Sequence, residues 1–241
     1  MTGAIETDPV KETTSSERRG FFAGVAPYFE KESLAAFALG LSSGFPFAMI
    51  GATLTTRLAQ EDIQKSTITA FTLAFLVYNL KVFWAWIVDG VRLPLIGRMG
   101  QRVSWMIVSG LLVIAATVNL AMVDPATDLA GTVLAAVLVG IAGATYDIVI
   151  DAYRIETLKP YQLGTGSGMS QYGWRVGSAG AGAVALIIAT RYGWSSAYIA
   201  CSMFAVPAIA AALLMGEPVR RQIVIARRGV GEVWNSIAGP F

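Results

Sequence analysis

The chain has 241 residues, of which 55% are hydrophobic and only 14% charged, and its net charge is +2; its mean hydropathy is +0.59. A soluble domain carries about 25% charged residues, so this composition belongs to a membrane protein. The absence of histidine and the single cysteine, Cys201, exclude histidine-based catalysis, disulfides and a zinc site built on His or several Cys. No Gly-Lys-Ser/Thr phosphate-binding loop is present. These absences point away from an enzyme, a cofactor or a metal, and a basic excess in such a chain is a topology signal, not a nucleic-acid surface.

Residues 1–32 are polar and mixed in charge, and read as a disordered tail with a short amphipathic segment near its end. Six apolar runs follow, at about 33–58, 66–88, 103–123, 128–153, 163–190 and 194–215. Each is long enough to cross ~30 Å of hydrocarbon as a helix. The turns at Asp124-Pro125 and Tyr192-Gly193 are short, so the flanking helices are expected to be antiparallel neighbours. The expected architecture is an all-α bundle of six transmembrane helices over 33–215. Residues 216–241 form a basic cytoplasmic linker that reads as the start of a second half.

Basic residues set the expected orientation. Thirteen of the eighteen (Lys11, Arg18, Arg19, Lys31, Arg92, Arg98, Arg102, Arg154, Lys159, Arg220, Arg221, Arg227 and Arg228) fall on one side, and three (Arg57, Lys65 and Arg191) on the other. By the positive-inside rule both termini are cytoplasmic. The remaining two, Lys81 and Arg175, fall inside spans.

Ionisable residues inside lipid-soluble runs are costly and mark functional positions. In the first run, Gly40-Leu-Ser-Ser43-Gly44-Phe-Pro46 predicts a proline kink beside a cavity. In the second, Lys81 lies at the same depth as Asp147 of the fourth. It either pairs with that carboxylate across the two helices or snorkels to the interface with Trp84 and Trp86 as belt residues. The fourth run ends Ala144-Thr-Tyr146-Asp147-Ile-Val-Ile-Asp151-Ala-Tyr-Arg154, whose two carboxylates share a helical face with Arg154. Asp151 is within reach of Arg154. The fifth run has seven glycines, Gly164, Gly166, Gly168, Gly173, Gly177, Gly180 and Gly182, which let helices approach closely. Arg175 sits among them near mid-span, with Gln171, Tyr172 and Ser178 on its face. At that depth it is expected to face the bundle interior and to need an anion or water.

The strings Leu39-Gly-Leu-Ser-Ser-Gly-Phe-Pro46, Leu80-Lys-Val-Phe-Trp-Ala85, Ala144-Thr-Tyr-Asp-Ile-Val-Ile-Asp-Ala-Tyr-Arg154 and Gly173-Trp-Arg-Val-Gly177 resemble the AmpG-type muropeptide permeases of the major facilitator superfamily. The loop Asp89…Gly97-Arg98 is similar to the Asp…Gly-Arg signature that this superfamily carries between its second and third helices, a gating loop. Tyr146 and Trp86 depart from the family pattern. The resemblance implies the N-terminal half of a major facilitator fold, two inverted three-helix repeats facing a second six-helix half or a dimer partner. It implies proton-driven import of anhydro-muropeptides across a bacterial inner membrane for peptidoglycan recycling. Arg175, Gln171, Tyr172, Ser43 and Tyr146 would then contact the substrate, and Asp147, Asp151 and Lys81 would couple it to protons. A transporter of another anionic solute, such as a coenzyme A ester, and a six-helix protein acting through a partner without transport are the alternatives.

Overall fold

A computed structural model describes residues 25–61, 63–64, 71, 75–91, 93 and 99–218. Among them all regular structure is helical. We number the helices α1 (Lys31–Gln60), α2 (Leu76–Leu80), α3 (Val82–Gly90), α4 (Gln101–Met122), α5 (Leu129–Thr157), α6 (Leu163–Ser202) and α7 (Val206–Met215). Among the described residues, four stretches are long and apolar enough to cross a membrane: Lys31–Gln60, Gln101–Met122, Leu129–Thr157 and Pro160–Met215. The second apolar run is represented by α2 and α3, which meet at Lys81, whose backbone is itself helical (φ −52°, ψ −27°).

The last of the four stretches is 56 residues long, far more than a bilayer needs, and it is not straight. At Gly193 the backbone takes φ +82° and ψ 166°, a left-handed φ open to glycine at no steric cost. The Cys201 thiol donates to the Ala181 carbonyl at 3.3 Å. Twenty residues of straight helix would separate these by ~30 Å, so the chain folds back at Gly193.

Side-chain contacts sort the helix ends into two layers. At one end lie Glu30, Asp89, Arg102, Glu156, Gln162 and Glu217, linked in pairs by Arg102–Asp89, Arg102–Glu156, Gln162–Glu30 and the Glu217 contacts below. At the other end Arg57 donates to the carbonyls of Leu120 at 3.1 Å and Val123 at 2.7 Å. Ser195 reaches the Ala121 carbonyl (2.7 Å) and Trp194 reaches Gln60 (3.0 Å). Arg57 is only 5% exposed. It is held by the C-terminal carbonyls of α4, which carry negative partial charge, and it lies 5.7 Å from the Tyr198 ring centroid.

The seam between α1 and α6 is the tightest helix contact. A Cβ added at Gly40 would fall on the Ser170 carbonyl, and one at Gly44 on that of Trp174. Reciprocally, a Cβ at Gly173 would fall on the Phe37 carbonyl and one at Gly177 on that of Leu41. Residue numbers rise together along both helices, so α1 and the first arm of α6 run parallel. The seven glycines of the fifth run are thus not equivalent, because Gly164, Gly168 and Gly182 have open space where a Cβ would go.

The bend expected at Gly44–Pro46 lies further along. The α-helix continues through Pro46 to Ala48, gives way to a π turn at Met49–Thr53, and is non-helical at Gly51 (φ −90°, ψ −112°). Pro46 is pressed against α5, where a Cβ on Gly143 would meet it at 2.8 Å. Helix α1 begins at Lys31, preceded by a 3-10 turn at Ala26–Phe29. The rest of the expected tail, 1–24, and of the linker, 219–241, lies outside the described residues.

Three tyrosines form the largest fully buried side chains, and each hydroxyl reaches a backbone carbonyl. Tyr146 donates to Ala205 (2.7 Å), Tyr153 to Gly216 (2.6 Å) and Tyr198 to Met49 (3.3 Å). Glu217 accepts the N–H groups of Arg102 and Val103, both at 3.0 Å, and so caps α4 from the far end of the chain.

Candidate functional site

The contact between α1, α5 and α6 leaves a cleft of about 260 Å³ lined by Ser43, Asp147, Ile150, Asp151, Arg154, Ser170, Gln171 and Trp174. Its polarity follows from helical spacing. Asp147, Asp151 and Arg154 lie one turn apart along α5 and present one stripe. The glycine seam brings Ser43 of α1 and Ser170 and Gln171 of α6 onto the same hollow.

Asp147 joins two other helical segments at the site. Its Oδ1 accepts from the Ser43 hydroxyl, and its Oδ2 pairs with the Lys81 ammonium. The interhelical pairing expected from matched depth is therefore present, and Lys81 does not snorkel. The two side chains keep 31% and 18% exposure, so this is a half-shielded pair next to a hollow. Trp84 donates to the Thr145 hydroxyl at 3.1 Å, a second polar contact between α3 and α5. The Tyr78 hydroxyl sits against Gly143 and has no hydrogen-bond partner among the described residues.

One turn further along α5, Asp151 accepts from Arg154 at 2.9 Å. The other terminal nitrogen of Arg154 reaches Ser167 at 3.3 Å. Its Nε is buried without a partner among the described residues. Beyond it, the Arg102 guanidinium sits between Asp89 (2.7 Å) and Glu156 (2.6 and 3.0 Å). Asp89 of the expected gating loop is thus engaged by Arg102; Gly97 and Arg98 lie outside the described residues.

The remaining expected residues divide. Ser43 and Gln171 line the cleft. Tyr146 is fully buried and turned to the Ala205 carbonyl, away from it. Tyr172 is 64% exposed, and Arg175 is exposed beside it; neither lines the cleft. Helical period put Arg175 and Gln171 on one face without saying how far along that face the cleft extends, and it reaches Gln171 but not Arg175 one turn on. Sequence reasoning left Ser170 and Trp174 unmarked and gave Arg154 only as a partner for Asp151, although its place on the acidic stripe was visible.

The profile of the Major Facilitator Superfamily matches residues 33–239. The chain is 32% identical over 176 residues to "Putative transporter AmpG 4" of Rickettsia felis, covering 72% of this chain and 42% of that protein. It is 32% identical over 181 residues to "Anhydromuropeptide permease" of Escherichia coli K12, covering 75% of this chain and 36% of that one. The chain thus spans less than half the length of these curated relatives. The membrane-length helices and the family match over most of their extent lead to one assignment: the chain belongs to the Major Facilitator Superfamily.

Proposed function

We propose that this chain is one half of a secondary transporter of the bacterial inner membrane, which imports anhydro-muropeptides together with protons. In this reading it contributes six spans, with both ends in the cytoplasm, and a second six-helix half closes the cleft. The observation that carries it is the polar cleft with Asp147, Asp151 and Arg154 on its wall, set within helices long enough to span a bilayer. An aqueous solute needs such a hollow, and ionisable groups are expensive there unless used. The similarity to an anhydromuropeptide permease supports the substrate class.

Within the site, Asp147 holds the coupling proton. Protonation removes its charge, releases Lys81 and loosens the contact between the α2–α3 stretch and α5. Ser43 and Gln171 hydrogen-bond the solute. Arg175 and Tyr172, exposed on this half, belong to the wall that the second half completes. Uptake of labelled N-acetylglucosaminyl-anhydro-N-acetylmuramyl peptide into vesicles carrying both halves tests this. We expect accumulation that collapses with the proton gradient and with Asp147→Asn, and no uptake with this chain alone. Preferential uptake of a coenzyme A ester overturns the substrate.

A further inference from the structure

We propose that Arg154 is the cation that binds a solute carboxylate, and that the solute takes it from Asp151, which accepts a proton as it lets go. This rests on the reading that the cleft receives an acidic solute, and it identifies the residue and the exchange.

Among the described residues, Lys81, Arg154 and Arg175 are the candidate cations for the cleft, since Arg102 is held by Asp89 and Glu156, and the geometry separates them. Lys81 is held by Asp147, and Arg175 does not line the cleft. Arg154 lines it, with a side chain only 17% exposed. Its hydrogen bonding is incomplete: one short contact to Asp151 at 2.9 Å, a long one to Ser167 at 3.3 Å, and a buried Nε with none among the described residues. A guanidinium is best satisfied by two parallel bonds to one carboxylate, and Asp151, three residues away on the same helix, supplies a single one. Asp151 is the looser partner, with a side chain 45% exposed. A planar carboxylate entering the cleft can offer Arg154 the fork that Asp151 does not.

With Asp147 charged and held by Lys81, charge balance calls for a proton on Asp151. Asp147, Lys81, Asp151 and Arg154 sum to zero. Among the described residues, the other polar groups lining the cleft beside Asp151 are uncharged: Ser43 from α1, and Ser170, Gln171 and Trp174 from α6. A further carboxylate would leave the hollow with an uncompensated negative charge, which is penalised once the second half closes the cleft and excludes water. Protonating Asp151 removes that charge. The Asp151 carboxylate paired with Arg154, plus a solute carboxylate and a proton, becomes neutral Asp151 and a solute–Arg154 ion pair. The only covalent bond formed is the O–H of Asp151, and nothing is oxidised or reduced. Release reverses the exchange, so each carboxylate bound at this place carries one proton with it.

The test is calorimetric titration of the two-half transporter with anhydro-muropeptide, in buffers of different ionisation enthalpy, which gives protons taken up per ligand bound. The parent is expected to take up about one more proton per ligand than Asp151→Asn, which still binds. Arg154→Gln should weaken binding by about tenfold or more, with Arg154→Lys between it and the parent. Converting the ligand's carboxylates to amides should erase the difference between Arg154→Gln and the parent. Proton uptake per ligand unchanged in Asp151→Asn, or Arg154→Gln binding as tightly as the parent, overturns the exchange while leaving the transport reading intact. A parent that binds no muropeptide overturns both.

Discussion

Helix α5 and helix α6 each meet a partner across the cleft, but by different means. Along α6, glycines let two backbones touch, and the α1–α6 contact contains no ion pair among the described residues. Between α5 and the α2–α3 stretch, the contacts are polar: Lys81 with Asp147 and Trp84 with Thr145. Helix α3 has a single buried side chain, Val88, while Val82, Phe83 and Trp86 are about 70% exposed. A backbone-on-backbone seam has no chemical handle, since neither protons nor ligands change it. A contact carried by a carboxylate and an ammonium can be undone by one proton. The bundle therefore has a fixed frame, α1 with α6, and an attachment that chemistry can release.

The largest effect should come from breaking the frame. Gly44→Leu or Gly177→Val puts side-chain atoms onto carbonyls of the facing helix. Overpacking of this kind costs about 2–3 kcal/mol or more, and we expect loss of folded protein in detergent thermal-unfolding assays. Gly182→Ala, where space is open, sharpens the contrast. It should be neutral or stabilise by up to about 1 kcal/mol, and equal damage at both positions would dissolve the distinction.

Next in size is the ion pair. Asp147→Asn strands Lys81, and because both side chains are partly exposed the expected cost is about 1–2 kcal/mol, below that of a fully buried pair. Hydrogen exchange should quicken over 76–90 and stay unchanged along α1 and α6. Lys81→Met with Asp147→Leu should recover most of the lost stability and none of the transport. Uniform loss of protection would show that the two contacts are not independent. The smallest effect is expected from Trp84→Phe, which removes one hydrogen bond worth about 1 kcal/mol and should quicken exchange in the same segment only.

The frame was only half legible in the sequence. Glycine spacing announced close packing in the fifth run, but nothing local named α1 as its partner or separated Gly177 from Gly182. The Lys81–Asp147 contact was readable because two charges at one depth in apolar runs have few other solutions. The place of Arg175 outside the cleft was not, since periodicity assigns a face without saying how far along it a hollow reaches. The Glu217 cap was beyond reach as well. An acid after a helix carries no sign that it serves N–H groups 114 and 115 positions earlier.

The lone thiol has a practical consequence. Cys201 is the only cysteine in the chain, and it is fully buried, its sulfur turned to the Ala181 carbonyl. A membrane-impermeant maleimide should therefore find almost no background in the native chain, and no cysteine-free variant has to be made before reporter thiols are introduced. Thr127 and Tyr161, both exposed, are the natural first pair. With the expected orientation, a thiol at the former reacts in intact cells, and one at the latter reacts only after the membrane is opened.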